Sequence, residues 1–203
     1  MVDGGPDLQP LEPPWRVGAV AGTGATARWD QARHGVPRRH HHPGAPESRG
    51  CGEKGGSSAQ RDKREALGRS RGGFSTKACV LADGSGRAIG FALAPGQAHE
   101  LPLAPVLLSF LTALALWIVA DRGYAAHAFR RRIWDLGARP AIPAKRNEAP
   151  VACPPWIYTN RNLVERCWCR LKEWRAVATR YEKTERAFMG VLCMAATMDW
   201  LKA

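Results

Sequence analysis

The sequence predicts an α/β fold, a mixed sheet flanked by helices. Three observations predict it. From Thr76 onward, short apolar runs alternate with helix-length amphipathic ones, in the order strand, strand, helix, strand, helix, strand, then helices. Asp83-Gly-Ser-Gly86 separates the first two apolar runs as a hairpin turn would. The last 45 or so residues carry apolar positions at helical spacing.

Residues 1–54 are loaded with Gly, Pro, Arg and His and lack any sustained period of 2 or 3.6. They read as a disordered segment. His40-His41-His42 within it is a tag-like surface run rather than a metal site. The domain is expected to occupy residues 55–203. Its first part, 55–74, is polar, glycine-rich and basic. A strand is predicted over Thr76–Ala82, a second over Arg87–Leu93, then a short buried helix near 104–114 and a strand over Leu116–Ala120. Residues 124–137 form an amphipathic helix through Phe129, Ile133 and Leu136, stopped by Gly137. Arg139–Pro143 is a short strand, 144–156 a Pro-rich loop, and two helices span about 158–175 and 184–201.

The chain of 203 residues holds 30 Lys plus Arg against 18 Asp plus Glu, a formal charge of +12. That balance suits a polyanionic partner, most simply nucleic acid. Six scattered cysteines form no CxxC pair; Cys167 and Cys169 point to opposite sides of a helix, so reduced thiols in a cytosolic protein are expected. Leu101–Ala120 is uncharged over 20 residues, but Pro102 and Pro105 and its strand-like end argue against a membrane span. No signal peptide is read, and a cytosolic location is expected.

Tyr158, Arg161, Glu165 and Lys172 lie three, four and seven residues apart, so one helix face presents all four. A carboxylate framed by cations there suits a metal-assisted site that handles phosphates; the plain alternative is a solvated Arg161–Glu165 pair. Asp121 follows the strand ending at Ala120, where ligands of such sheets sit; the plain alternative is an N-cap before Gly123. Asp121 and Glu165 together would suit Mg²⁺, which takes oxygen ligands. Lys172 and Arg161 would hold phosphate oxygens, and Trp168 and Trp174 are candidates for stacking a displaced base; the plain alternative is that tryptophans at helical spacing belong to the core.

Several blocks carry a family resemblance. They are Gly68-Arg-Ser-Arg-Gly-Gly-Phe-Ser-Thr-Lys77, Pro95-Gly-Gln-Ala-His99, Val119-Ala-Asp-Arg-Gly-Tyr124 and Ile142-Pro-Ala-Lys-Arg-Asn147. Asn162-Leu-Val-Glu-Arg166, Arg170-Leu-Lys-Glu-Trp174 and Thr179-Arg-Tyr-Glu-Lys-Thr184 continue the series. With the Tyr-(2)-Arg-(3)-Glu-(6)-Lys spacing at Tyr158, Arg161, Glu165 and Lys172, the chain resembles the DDE transposases of bacterial insertion sequences, in particular the insertion-sequence-five family. The resemblance implies a ribonuclease-H-like fold, an Asp-Asp-Glu triad holding two Mg²⁺ ions, donor-strand cleavage and strand transfer. It makes Asp121 the second acid and Glu165 the third, both metal ligands, and gives Tyr158, Arg161 and Lys172 to DNA and phosphate contact. The implied partner is DNA, at the terminal inverted repeats, with a homodimer or a mixed assembly with an intact transposase and no membrane.

The first acid has no counterpart. Where the family reads Asp-Gly-Thr-Ile-Ile-Arg-Ala-His-Gln, this chain has Arg38-Arg-His-His-His-Pro-Gly-Ala-Pro46. Synonymous codons for Arg38–Pro46, read from the second base, permit the missing motif, and the same offset over Asp7–Val17 permits a family-like helical segment. The expectation is therefore a frame-shifted N-terminal quarter, restored near Gly52–Gly55, and an incomplete sheet with its leading strand missing. By descent this is a transposase; as this polypeptide it is expected to be a degenerate, inactive copy, or else a non-catalytic DNA-binding fragment that modulates an intact transposase.

Overall fold

A ten-residue strand, β4 (Gly73–Ala82), organises the sheet. The computed structural model describes residues 17–21, 26–28, 65–70, 73–112 and 115–202. Ala78, Val80 and Ala82 of β4 face one apolar cluster, while Cys79 and Leu81 face another. Both faces are covered, which is why this stretch reads as a nearly continuous apolar run rather than an alternating one.

Around β4 lie β1 (Val17–Ala21), β2 (Thr26–Arg28), β3 (Gly68–Ser70) and β5 (Ala88–Pro95), all antiparallel to it. The registers overlap: β1 and β5 both pair with Val80–Ala82, and β2 and β3 both pair with Ser75. Each strand offers one partner per edge, so β1 and β2 share one edge of β4 while β3 and β5 share the other. β1 also pairs in parallel with β6 (Trp117–Val119), and β6 in parallel with β7 (Arg139–Ala141). The central order is thus β5-β4-β1-β6-β7.

The expected absence of a leading strand is corrected here. Val17–Ala21 fills the place between β4 and β6. The physical reason is an open slot with backbone donors and acceptors on both sides, which a short run of small apolar residues, Val-Gly-Ala-Val-Ala, can enter. The remaining residues of the 1–54 segment, including His40–His42 and the Arg38–Pro46 window, lie outside the described residues. A second difference is β3: the glycine-rich stretch before Phe74 folds back on the start of β4, Ser70 opposite Gly73.

The β4–β5 hairpin forms as its turn residues require. Asp83 Oδ1 accepts from the Ser85 and Arg87 amides at 2.9 and 2.8 Å, and Gly86 takes a φ of +79°. Beyond β5 come a 3₁₀ turn, Leu101–Leu103, and α1 (Ala104–Leu108). This helix is shorter than the predicted 104–114: after Leu108 the amides of Phe110 and Leu111 bond back only three residues, so the helix gives way to tight turns. Helix α2 (His127–Asp135) buries Phe129 and Ile133 and is followed by Gly137 with φ +78°, the predicted stop; it is shorter than the predicted 124–137, and Leu136 is exposed rather than on its buried face.

The predicted 158–175 helix is α3 (Pro155–Tyr158), a 3₁₀ turn at Thr159–Arg161 and α4 (Asn162–Lys172), one continuous right-handed helical run because the junction residues keep helical φ and ψ. It breaks at Trp174, which is extended, before α5 (Arg175–Ala178). Thr184 Oγ1 accepts from the Ala187 amide at 3.2 Å and starts α6 (Glu185–Leu201).

Helices α4 and α6 cover one sheet face through Val164, Cys167, Trp168, Leu171, Phe188 and Leu192. Helices α1 and α2 cover the other. A smaller cluster of Val119, Ala141 and Ile157, with Trp117 and Tyr158 against it, seats α3 on β6 and β7. Arg180, fully buried, ties the chain after α5 to β4: it donates to Thr76 Oγ1 and to the carbonyls of Glu182 and Lys183. Among the described residues no helix is long and apolar enough to cross a membrane.

Candidate functional site

Asp121 lies immediately beyond β6, where the extended backbone turns into a 3₁₀ turn at Arg122–Tyr124. Its Oδ1 accepts from the Gly123 amide at 2.8 Å, so the N-cap role open in the sequence is realised. Capping uses one lone pair of one oxygen, and a carboxylate has further acceptor capacity. Position at the carboxyl end of a parallel strand and capping therefore coexist.

The sequence reading did not single out the group beside it. A Cβ built on Gly123 would stand 2.9 Å from Asp121 Oδ1 and 3.0 Å from Glu100 Oε2. The two carboxylates thus lie within about 6 Å of each other, on either side of a residue that has no side chain. Glu100 is nearly buried, and its Oε1 is 3.5 Å from Lys77 Nζ. Lys77 in turn donates to the Ala98 carbonyl at 2.6 Å. Tyr124 is fully buried, with its hydroxyl beside the Cys79 thiol. Burial, then the neighbouring Cys79 and the carboxylates of Glu100 and Asp121, push its phenol far above the ordinary range. Burial pushes the Cys79 thiol up to about 11, so it stays protonated and inert near neutral pH.

A signal for this cluster was present. Three of the family-like blocks end at Lys77, His99 and Tyr124; Lys77 meets Ala98 and Glu100 on either side of His99, and Gly123 beside Tyr124 faces Glu100. The middle block stops one residue short of Glu100.

The helical candidates form a separate connected face. Arg161 Nη1 is 2.7 Å from Glu165 Oε1, an i,i+4 pair with both side chains largely exposed. The Arg161 guanidinium also lies 5.9 Å from the Tyr158 ring centre. Tyr158 packs beside Val119, two residues before Asp121, so the helix face adjoins β6. Lys172 is exposed in the last turn of α4. The structure therefore joins Tyr158, Arg161 and Glu165 in one chain of contacts, and joins Asp121 to Glu100. Among the described residues, no group of three or more His, Cys, Asp or Glu side chains gathers closely enough to hold a metal ion.

Trp168 is corrected from a base-stacking candidate to a core residue. It is 4% exposed and packs on Phe91 with ring centres 6.1 Å apart. Trp174 is also packed against that core. Trp156 is 67% exposed, more than Trp134 or Trp200, and lies edge-on to Trp117, over which Arg139 lies at 5.6 Å. The predicted opposition of Cys167 and Cys169 holds, the first buried and the second exposed.

Other family-like blocks prove to be structural. Arg170 bonds Asp199 Oδ1 at 2.8 Å and the Gly86 carbonyl at 2.7 Å, joining α4, α6 and the hairpin. Arg130 of α2 bonds the carbonyls of Ile142 and Pro143 and the Glu148 carboxylate, fixing the loop after β7.

This is a mixed sheet between helical layers, with carboxylates at the end of a parallel strand and a basic helix face beside it. It belongs to the DDE transposase domain family: one family model for the transposase DDE domain matches residues 37–151, and a second of the same description matches residues 118–202. The chain is also 32% identical over 131 residues to a Brucella ovis protein assigned as the transposase for insertion sequence element IS6501, covering 64% of this chain and 100% of that relative.

Proposed function

We propose that this chain descends from an insertion-sequence transposase that cleaves and rejoins DNA strands, and that it retains DNA binding without completing the reaction. Its sheet is read as ribonuclease-H-like and its parent as a member of the insertion-sequence-five family. The observation that carries this reading is the leading strand. Val17–Ala21 runs parallel to β6, the strand that delivers Asp121, yet it consists of Val, Gly and Ala and brings no carboxylate. Among the described residues that strand supplies no first acid for an Asp-Asp-Glu triad, as a frame change upstream of Gly52–Gly55 would produce.

Asp121 and Glu165 are the inherited second and third acids. Arg161, Tyr158 and Lys172 hold the DNA backbone, with Arg161 able to exchange the Glu165 carboxylate for a phosphate. A bound Mg²⁺ would supply an activated water and stabilise a leaving 3′ oxygen. Asp121 and Glu165 are the residues that would hold it, since Mg²⁺ is commonly held by one or two carboxylates; a second ion would need a third acidic ligand, which the described residues do not gather.

The test is a labelled duplex carrying the terminal inverted repeat, titrated with the full chain and then incubated with Mg²⁺. Binding that weakens steeply with salt, and no nicking above the level of Glu165→Ala, is expected. Mg²⁺-dependent nicking that Glu165→Ala abolishes would overturn the loss of activity. Salt-independent or absent binding would overturn the DNA reading. Translation of the gene in all three frames tests the frame change.

A further inference from the structure

We propose that the turn Lys145–Glu148 is a second contact for the DNA backbone, with Lys145 and Arg146 each holding one phosphate. The proposal rests on the reading of DNA as the partner and adds two cations which that reading does not use. Their place follows from the sheet. Strands β6 and β7 are parallel neighbours, Val119 opposite Ala141, so their carboxyl ends lie side by side. β6 delivers Asp121 two residues after Val119, and β7 delivers Lys145 four residues after Ala141. Ligands of such sheets sit beyond these ends. The turn therefore stands at the same edge of the molecule as Asp121.

The turn is built before any DNA arrives. The Glu148 amide donates to the Lys145 carbonyl at 3.0 Å, which puts Arg146 and Asn147 at the tip. Glu148 Oε2 accepts from the Lys145 amide, also at 3.0 Å. Arg130, 7% exposed, donates to the Glu148 carboxylate and to the carbonyls of Ile142 and Pro143. A buried guanidinium needs such a partner. The pairing has an outward effect: the one carboxylate of the turn is taken up by Arg130, with His127 Nε2 at 3.6 Å. Among the described residues, its contacts include neither the Lys145 ammonium nor the Arg146 guanidinium, and both these side chains are exposed. Both can donate charge-assisted hydrogen bonds to phosphate oxygens. Because the backbone is already ordered, binding there restricts little more than two side chains.

The experiment is fluorescence anisotropy of the full chain on the labelled terminal-repeat duplex across a salt series. Each phosphate contact contributes about 0.9 to the slope of log affinity against log salt. Lys145→Ala and Arg146→Ala are each expected to flatten that slope by about one, and the double variant by about two. Arg132→Ala, which removes an exposed cation of α2 outside these contacts, should move it less than half as far as either. Lys145→Arg keeps the charge and should keep the slope. Glu148→Ala makes the chain more positive, yet should weaken binding because the turn is released; thermal melts of each variant report folding. A wild-type slope in the folded double variant overturns the proposal, as does an effect no larger than that of Arg132→Ala. Tighter binding by a folded Glu148→Ala chain overturns the pre-formed turn. If Arg161→Ala flattens the slope while the double variant does not, the helix face stands and this second contact falls. If wild type does not bind the duplex, the DNA reading itself falls and this proposal with it.

Discussion

Glu100 Oε2 and Asp121 Oδ1 face one point beside Gly123, 3.0 and 2.9 Å from where a Cβ would stand. Gly123 has no left-handed backbone to protect, so Gly123→Ala meets only the ends of two flexible side chains. The expected cost in urea unfolding is within about 1 kcal/mol. A larger loss would show that the two carboxylates cannot move aside for a side chain at this turn.

Arg130 and Glu148 give a pH dependence with a definite sign. The hydrogen bond from Arg130, then that from the Lys145 amide, holds the Glu148 carboxyl down at about 2, against 4.5 ordinarily. A carboxyl lowered on folding stabilises the native state above its unfolded value, and that contribution disappears as pH falls from about 4.5 toward 2. Glu148→Gln should lower the melting temperature at pH 7 and flatten its decline between pH 5 and 2.5, measured by circular dichroism. An unchanged profile would show that the pair does not hold the loop.

Two arginines on the same helix should separate stability from binding. Arg161→Ala removes an exposed i,i+4 pair worth a few tenths of a kcal/mol, yet should weaken duplex binding several-fold by anisotropy at low salt. Arg170→Ala loses hydrogen bonds to Asp199 and the Gly86 carbonyl and should cost about 1–2 kcal/mol in urea unfolding. Reversed outcomes would mean that the DNA-facing side of α4 has been misplaced.

The tryptophans divide the same way. Trp168→Ala opens the core beneath α4 and should cost about 3–5 kcal/mol. Trp156→Ala should change stability by about 0.5 kcal/mol or less while weakening single-strand binding by about 1–3 kcal/mol, as loss of one stacked base would. Equal binding by wild type and Trp156→Ala would remove this side chain from the nucleic-acid surface.

Much of the sheet could be read from local signals, because they agree with tertiary need. The Asp83–Gly86 turn, the Gly137 stop and the Thr184 cap act within a few residues, and structure follows at each. Glu100 was not legible for the opposite reason. Its importance depends on Asp121, twenty-one residues away, and on the gap at Gly123, neither of which leaves a spacing pattern. Trp168 stayed open between stacking and core in the sequence because one helix carries both a basic face and a core face, and spacing from Tyr158 does not say which side the ring takes. The place of β1 was hidden too, since Val17–Ala21 has no partner nearby in sequence and its pairing is wholly long-range.

That strand has a kinetic consequence. Among the described residues, the backbone ladder from β4 to β6 runs only through β1. The β3–β4–β5 group and the β6–β7 side can each assemble from nearby pairings, but joining them requires the distant upstream segment that carries β1 and β2 to thread between two preformed edges. Closure of this seam is expected to be the slow step of folding, and until it occurs both edges stay open to a strand from a second molecule.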